Sequence, residues 1–202
     1  MFSQKSTQSS CINSRLVPDL FSDSFVEVGT VRVLELGPAQ GDTVGFLNQF
    51  NCRLNVLDVV DEVRRIDAEY QELEDPDPAK LEDDLVRILN LEPTDVFDVC
   101  LFWDSLNYLS PVVLKAFSRA LVPHLSERFR GHGFAVLNKN SALYEQRYGI
   151  INKELLSVGG LKKKQLPYRH SQSVISSVME GLVIKQSILR EDGRLEMVLS
   201  LK

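Results

Sequence analysis

The amino-acid sequence predicts a three-layer α/β/α sandwich whose mostly parallel sheet ends in an antiparallel β-hairpin. Short runs of β-branched and apolar residues alternate with segments of helical period, which is typical of a parallel sheet covered on both faces. The chain has 202 residues, of which 44% are hydrophobic and 25% charged, and this suits one sizeable α/β domain. Near its end, Asp192 and Gly193 separate two strand-like runs, and such a pair is a strong hairpin signal.

The first predicted strand carries a clear signal. Residues 31–36 are rich in apolar and β-branched side chains, and the run ends at Gly37. A helix should follow over residues 43–50, because Asp42 is placed to cap it and apolar residues recur along one side. A strand, a glycine turn and a helix in this order predict the first unit of the parallel sheet.

A second strand and an ambiguous segment follow. Residues 54–57 predict a strand that ends at Asp58, and a helix should cover residues 61–73. The apolar spacing of residues 79–90 fits a helix, but the last part could equally form a short third strand that ends at Asn90. Periodicity cannot decide so short a run, and both interpretations stay open.

The second half of the chain continues the alternation. Residues 96–103 form a near-continuous apolar run that suits a central strand. Ser110 is followed by proline and should cap a helix, and residues 133–137 predict the next strand. We expect residues 138–169 to form a long irregular or lid-like insertion, after which Ser171 can cap a further helix.

The domain boundaries follow from these elements. We expect residues 1–28 to form a flexible or helical N-terminal arm and residues 29–202 to form a single domain that carries the insertion. The arm begins as a polar, serine-rich segment without an apolar core, so it does not resemble a secretory signal. No apolar stretch approaches the roughly 18 residues needed to cross a bilayer, and we expect no membrane association.

Charge and cysteine content limit the kinds of partner. The net charge of -5 argues against a domain dedicated to nucleic acid, because phosphates require clustered cations. The three cysteines, Cys11, Cys52 and Cys100, are widely spaced and form neither a zinc pair nor a disulfide framework. We therefore expect no metal site, and the cysteine pattern suits a reducing cytoplasm.

The loop from Glu35 to Gly41 is the first candidate for chemistry. A carboxylate at the end of a buried strand is costly unless something binds it. Gly37 and Gly41 allow a ligand to approach the backbone, and the helix behind them offers free N–H groups at its start. The loop suits a small ligand that bears a carboxylate and an ammonium group. The alternative is an ordinary glycine turn in which Glu35 reaches solvent.

Asp58 strengthens the ligand-binding interpretation. It ends the second predicted strand, at the same edge of the sheet as Gly37, and lies roughly 20 residues beyond the loop. A carboxylate at that place can accept hydrogen bonds from both hydroxyls of a ribose. The alternative role for Asp58 is to cap the following helix. The loop does not have the glycine spacing of nicotinamide-binding proteins, so such a cofactor is disfavoured.

The loop from Glu35 to Gly41 resembles motif I of the class I S-adenosylmethionine (SAM) methyltransferases, with Ala39 in place of the middle glycine. The resemblance implies that the loop holds the methionine part of SAM and that Asp58 binds the ribose. Residues 97–104 are similar to the fourth strand of the family, whose end faces the methyl group of the cofactor. The similarity extends over about residues 31–202 and includes the closing hairpin.

The resemblance has two departures, and the residues at the end of the predicted fourth strand are further candidates for the site. The closest equivalent of the adenine-binding acid is Asn90, and no Asn-Pro-Pro-Tyr tetrad follows the fourth strand. Asp104 is the best-placed general base, although it could equally cap the next turn. Trp103 could stack on adenine or shape the methyl pocket, or it could belong to the core.

Substrate contacts are expected from the insertion and the residues after it. We select Tyr148 and His170, the first by analogy with the family and the second because it follows the insertion. The sequence thus predicts a cytoplasmic SAM-dependent methyltransferase that acts on a small molecule, and a homodimer stays open. Two alternatives remain: a catalytically inactive relative that serves as a binding module, and a different nucleotide-using enzyme on a similar sheet.

Overall fold

The computed structural model describes residues 10–22, 29–137, 143–165 and 168–202. Within these ranges the β-strands are β1 (Ser10–Asn13), β2 (Val31–Leu36), β3 (Cys52–Leu57), β4 (Phe97–Trp103), β5 (Leu125–Val136), β6 (Leu143–Asn152), β7 (Leu155–Gln165), β8 (Leu182–Leu189) and β9 (Arg194–Leu201). The α-helices are α1 (Val17–Leu20), α2 (Gly41–Leu47), α3 (Val60–Gln71), α4 (Pro78–Leu89), α5 (Pro111–Leu121) and α6 (Gln172–Val178). In the same ranges, no helix is both long enough and apolar enough to span a bilayer.

A six-stranded sheet organises the fold, with the strand order β3-β2-β4-β5-β9-β8. Strands β3, β2, β4 and β5 pair in parallel, whereas β9 runs antiparallel to β5 and β8 runs antiparallel to β9. The turn between β8 and β9 places Gly193 at a φ of 79°, which favours glycine. The predicted fold class, a mostly parallel sheet that ends in an antiparallel hairpin, is confirmed.

Each face of this sheet packs against a different layer. Leu34 and Leu36 of β2 pack among apolar residues of α3, α4, α5 and α6. Val31 and Val33 face the other way and pack with α1, α2 and a smaller sheet. Side chains alternate along a strand, so Glu35 lies on the same face as Val33. All seven residues of β4 are buried, as its apolar run predicts for a central strand.

The smaller sheet has three antiparallel strands in the order β1-β7-β6. The irregular segment expected over residues 138–169 is thus largely a β-hairpin, of which 143–165 lie within the described residues. Tyr148 and Ile150 on β6, and Leu156 and Val158 on β7, are buried at alternating positions. This period-2 pattern explains why the segment forms strands instead of a loop.

The N-terminal arm contributes to the layer that contains the smaller sheet. Strand β1 pairs with β7, and the segment around α1 buries Leu16, Val17, Leu20 and Phe21 completely. Over residues 10–22 the arm is therefore packed onto the domain through one strand and one short helix. The remainder of the predicted arm, residues 1–9 and 23–28, lies outside the described residues.

The ambiguous segment at 79–90 is helical. Helix α4 begins after Asp77, whose side chain accepts a hydrogen bond from the backbone N–H of Ala79 at 2.9 Å. Its buried residues, Leu81, Leu85 and Leu89, recur every four positions. Asn90 ends the helix with a left-handed φ of 45°. In the described part of the chain no strand takes the place of the third strand, and β3 is the edge of the large sheet.

Two of the predicted helix caps are confirmed and one is wrong. The Ser110 and Ser171 hydroxyls accept hydrogen bonds from the backbone N–H groups of Val113 and Val174. Helix α2, by contrast, begins at Gly41 after Gln40, so Asp42 lies inside its first turn. The prediction placed the start of this helix at Thr43, two residues too late, and so made Asp42 the apparent cap. In the first turn its carboxylate still interacts favourably with the helix dipole.

Candidate active site

A cleft of about 150 Å³ opens at the carboxyl ends of β2, β3 and β4. Its walls come from the turn after β2, the start of α3, the end of β4 and strand β6. The lining residues are Leu36, Gly37, Pro38, Asp58, Val60, Asp61, Arg64, Trp103, Asp104, Ser105, Tyr108, Gln146, Arg147 and Tyr148. Ligands of parallel α/β sheets bind at this edge of the sheet. Five of the nine residues predicted from sequence to form the site line the cleft: Gly37, Asp58, Trp103, Asp104 and Tyr148.

Gly37 positions the turn after β2. Its backbone N–H donates a hydrogen bond to the carbonyl of Leu57 at 2.8 Å, which joins the ends of β2 and β3. Its φ is +103°, so the position favours glycine, although an added methyl group would meet no atom within 4 Å. Gly41, the other predicted loop glycine, is exposed in the first turn of α2 and does not line the cleft.

Asp58 lies where the sequence places it, directly after β3 at the carboxyl edge of the sheet. Its side chain is exposed and lines the cleft beside Val60 and Asp61. No capping hydrogen bond from a side chain is found at the start of α3, so the alternative role as a helix cap is not realised. The Asp58 carboxylate therefore stays available to a ligand.

Glu35 is placed differently from the prediction. It is fully buried, it does not line the cleft, and its Oε1 accepts a hydrogen bond from the indole Nε1 of Trp103 at 3.1 Å. Its Oε2 has no hydrogen-bond partner among the described residues. Burial raises the pKa of Glu35 to about 7, and the hydrogen bond from Trp103 opposes this only in part. The predicted contact with a ligand would require Trp103 to move.

Trp103 separates Glu35 from the cleft. It ends β4 with a φ of +51°, a conformation that bulky side chains rarely adopt and that is common at functional sites. Its ring stacks on that of Tyr148, with 5.3 Å between centroids and 13° between planes. Trp103 thus acts as a cover over Glu35 and as one wall of the cleft.

Asp104 is the buried carboxylate of the cleft. Its Oδ2 accepts a hydrogen bond from the hydroxyl of Tyr108 at 3.3 Å and lies 3.4 Å from the hydroxyl oxygen of Tyr148. Burial raises the pKa of Asp104 to about 7, while the Tyr108 hydrogen bond and the charge of Arg194 lower it to a smaller extent. A carboxylate that titrates near neutral pH suits general acid–base chemistry.

Tyr148, one of the two predicted substrate contacts, lines the cleft from β6. Its hydroxyl donates to Oε1 of Gln146 at 2.6 Å and accepts from Nη1 of Arg194 at 2.6 Å. Sequence reasoning missed Tyr108, Gln146 and Arg194. The only available signal was the spacing of Gln146 and Tyr148, which puts both on one face of a strand.

Two predicted site residues lie away from the cleft. Asn90 caps α4 before β4 begins, so it lies at the amino edge of the sheet. The loop that follows it is held at this edge, because Arg32 at the start of β2 donates a hydrogen bond to the carbonyl of Thr94 at 3.0 Å. His170 is buried, and its Nε2 lies 2.9 Å from the carbonyl oxygen of Leu109. Burial lowers the pKa of His170. The prediction for Asn90 assumed a strand where a helix forms, and His170 has a structural position.

The comparisons with known proteins concern the fold. No protein-family model matches the chain, and no curated protein matches its sequence. The structure of 1,6-didemethyltoxoflavin-N1-methyltransferase from Burkholderia thailandensis, with bound 1,6-didemethyltoxoflavin and S-adenosylhomocysteine, aligns with a TM-score of 0.51 at 12% identity. The alignment covers 93% of this chain and 77% of that protein.

Two further structures are similar over nearly their whole length. An S-adenosylmethionine-dependent methyltransferase from Clostridium acetobutylicum ATCC 824 aligns with a TM-score of 0.51 and 15% identity, over 94% of this chain and 92% of its own. The PH0226 protein from Pyrococcus horikoshii OT3 aligns with a TM-score of 0.52 and 12% identity, over 93% and 90%. At this level of identity the similarity shows a shared fold.

Proposed function

We propose that this chain, which has the fold of the class I SAM-dependent methyltransferases, binds SAM in the cleft and methylates a small molecule. The observation that carries the proposal is the placement of Gly37, Asp58 and Asp104. They follow three adjacent parallel strands and line one cleft at the carboxyl edge of the sheet. In the Burkholderia thailandensis protein the bound molecules are 1,6-didemethyltoxoflavin and S-adenosylhomocysteine. This supports a small-molecule substrate for the present chain.

The cleft residues fit the adenosine part of SAM. The exposed Asp58 carboxylate can accept the ribose hydroxyls, and the apolar side chains of Leu36 and Val60 lie beside it. Gly37 leaves the backbone open to close approach. The cleft volume of about 150 Å³ is below the roughly 300–1,000 Å³ of typical ligand pockets, so we expect the Tyr148 side chain, which lines the cleft, to withdraw when the whole molecule binds.

The residues around the cleft also suit methyl transfer. When bound, SAM supplies a methyl group on a positively charged sulfur, and the protein's task is to align a nucleophile and exclude water. Asp104 can accept the proton of a hydroxyl or amine nucleophile, since it is buried and its pKa of about 7 keeps it partly ionised at neutral pH. We therefore expect the rate of methyl transfer to rise through about pH 7 as Asp104 ionises.

A second function, a non-catalytic binding module, is favoured by one specific observation. Tyr148 packs on Trp103, and Trp103 covers Glu35, so the carboxylate of the predicted cofactor loop is sealed from the cleft. A protein that has lost catalysis could keep this closed arrangement for its stability. The two functions differ in whether bound SAM is consumed.

Calorimetry with SAM and S-adenosylhomocysteine tests the proposal. Wild-type protein should bind both at micromolar concentrations. Asp58→Ala should weaken binding by roughly 10- to 100-fold, because it removes hydrogen bonds to a charged group. Asp61→Ala, which removes an exposed carboxylate from the same cleft, is the matched control and should have a small effect. No binding by wild-type protein would contradict the proposal.

Turnover separates the two functions. Mass spectrometry of a panel of small-molecule alcohols, phenols and amines incubated with SAM should find a methylated product. Binding of SAM without any product across the panel would favour the binding module. A homodimer and a cytoplasmic location remain predictions, and light scattering of the purified protein tests the first of them.

A further inference from the structure

The side chain of Tyr148 lies in a site that is shaped for a phenol. It is only 2% exposed, although it comes from a hairpin at the rim of the cleft. One face of its ring stacks on Trp103 at 5.3 Å, and the ring of Phe134 lies at 5.3 Å with a 31° tilt. Aromatic rings at these distances attract each other beyond the burial of their area.

The hydroxyl of Tyr148 has an unusually complete set of partners. Nη1 of Arg194 donates to it at 2.6 Å, Oε1 of Gln146 accepts from it at 2.6 Å, and Oδ2 of Asp104 lies at 3.4 Å. The hydroxyl of a buried tyrosine usually finds a hydrogen-bond partner, and here three polar groups surround it. A cation and a carboxylate on either side of a phenolic oxygen are the groups that would move its proton and stabilise the resulting anion.

The hairpin is irregular where it delivers this side chain. The pairing of β6 with β7 shifts register between Tyr144 and Gln146, and again between Ile150 and Asn152. Irregular pairing of this kind can re-aim side chains and is frequent next to active sites. Tyr148 lies between the two register shifts, and Tyr148, Gln146, Trp103 and Asp104 all line the cleft.

We propose that the substrate is a planar hydroxyaromatic compound whose phenolic ring takes the place that Tyr148 occupies in this structure. This inference rests on the methyltransferase function proposed above and names its substrate class. Tyr148 is an internal competitor: withdrawal of its side chain frees the stacking surface of Trp103 and the polar groups of Arg194 and Asp104, while the rest of the hairpin stays packed on the domain. The same withdrawal enlarges the cleft toward the size that a small ligand requires.

Methyl transfer to a phenolic oxygen in this site needs only SAM, the substrate and the side chains of Asp104 and Arg194. The substrate oxygen forms a bond to the methyl carbon of SAM, the bond from that carbon to sulfur breaks with its electron pair left on sulfur, and the phenolic proton passes to Asp104. Arg194 lies where it can stabilise negative charge that develops on the oxygen. Burial raises the pKa of the Tyr148 hydroxyl itself, so a phenol in this place needs the adjacent base to lose its proton.

A binding experiment tests the phenol site without SAM. Tyr148→Ala should create a cavity that binds p-cresol, and Trp103, which is the only tryptophan in the sequence, reports binding through its fluorescence. The variant should prefer p-cresol to toluene by roughly 10- to 100-fold, because a site built to bond a hydroxyl leaves charged groups unpaired without it. Adding Arg194→Gln should reduce this preference. Equal affinity for p-cresol and toluene would overturn the proposal.

A second variant covers the case in which Tyr148→Ala does not fold. Tyr148→Phe keeps the ring and removes the hydroxyl that bonds to Arg194 on β9. Its apparent affinity for p-cresol should exceed that of wild-type protein about tenfold, since the open state becomes more populated. An unchanged affinity would count against Tyr148 as a competitor for the site.

Methylation products distinguish this inference from the proposed function. Wild-type protein with SAM should methylate the oxygen of hydroxyaromatic compounds and leave aliphatic alcohols and amines unchanged. Methylation of aliphatic compounds alone would retain the methyltransferase function and overturn the substrate class. If neither wild-type protein nor either Tyr148 variant binds SAM, the methyltransferase function is rejected. The fluorescence experiment would still decide whether the site prefers p-cresol to toluene.

Discussion

Replacing Asp104 by asparagine should remove a large part of the pH dependence of stability. The ordinary pKa of an aspartate is 3.8, and burial raises that of Asp104 to about 7. Each tenfold change in an ionisation constant is worth about 1.4 kcal/mol. Ionising Asp104 in the folded protein therefore costs about 4 kcal/mol more than in the unfolded chain, a large fraction of a typical stability of about 5–15 kcal/mol.

The sign of the effect follows from proton binding. Below about pH 4 Asp104 is protonated in both states, so it contributes no pH dependence there. As the pH rises from about 4 to about 7, the unfolded chain loses this proton while the folded protein keeps it, and the free energy of unfolding falls. Above about pH 7 the loss is complete. Glu35, whose pKa is also raised to about 7, acts in the same direction.

Urea denaturation at about pH 5 and about pH 8 measures the effect. Wild-type protein should lose several kcal/mol of unfolding free energy between the two conditions, and Asp104→Asn should lose about 2–3 kcal/mol less, because part of the effect is already present at about pH 5. Asp61→Asn removes a negative charge from the exposed rim of the same cleft but retains Asp104, so it should keep the wild-type difference. If Asp104→Asn shows the full wild-type loss, Asp104 is not the buried titrating group described above.

Three further substitutions test separate parts of the structure. Glu35→Gln should keep the hydrogen bond from Trp103 and remove the cost of ionising a buried carboxylate. It should therefore raise the free energy of unfolding at about pH 8 by about 2–3 kcal/mol. A lower free energy of unfolding than wild type, measured by urea denaturation, would contradict this. Gly37→Ala should lower the melting temperature through a backbone cost of about 1–3 kcal/mol and not through a clash, because the φ is +103° and the space is open; an unchanged melting temperature would argue against that conformation. Asp77→Ala should destabilise α4 by about 1 kcal/mol in urea denaturation, whereas Asp77→Asn, which can still cap, should cost less.

The parts of the fold that were predictable from sequence are those with a strong local signal. Residues 31–36 and 96–103 are apolar runs bounded by turn residues, and they form β2 and the buried central strand β4. Asp58 was placed correctly because the residue that follows a strand must lie at the edge of the sheet. The hairpin near the C-terminus was predicted because an Asp–Gly pair favours a tight turn between two strands.

The parts that could not be predicted depend on distant contacts. Glu35 was recognised as a buried strand-end carboxylate, but its cover is a tryptophan 68 positions away in the chain. Asn90 was assigned to a site because residues 79–90 fit both a helix and a strand, and only packing of Leu81 and Leu85 against the sheet decides between them. The contact of Tyr148 with Arg194 joins β6 to β9, which no local pattern reveals.

A crystal structure of the protein grown with S-adenosylhomocysteine tests the central claim most directly. We expect the ribose hydroxyls to contact Asp58, the ligand to pass over Gly37, and the side chain of Tyr148 to have withdrawn from Trp103. A ligand bound at a different edge of the sheet, or a cleft that stays empty at saturating ligand with Tyr148 in its present place, would contradict it.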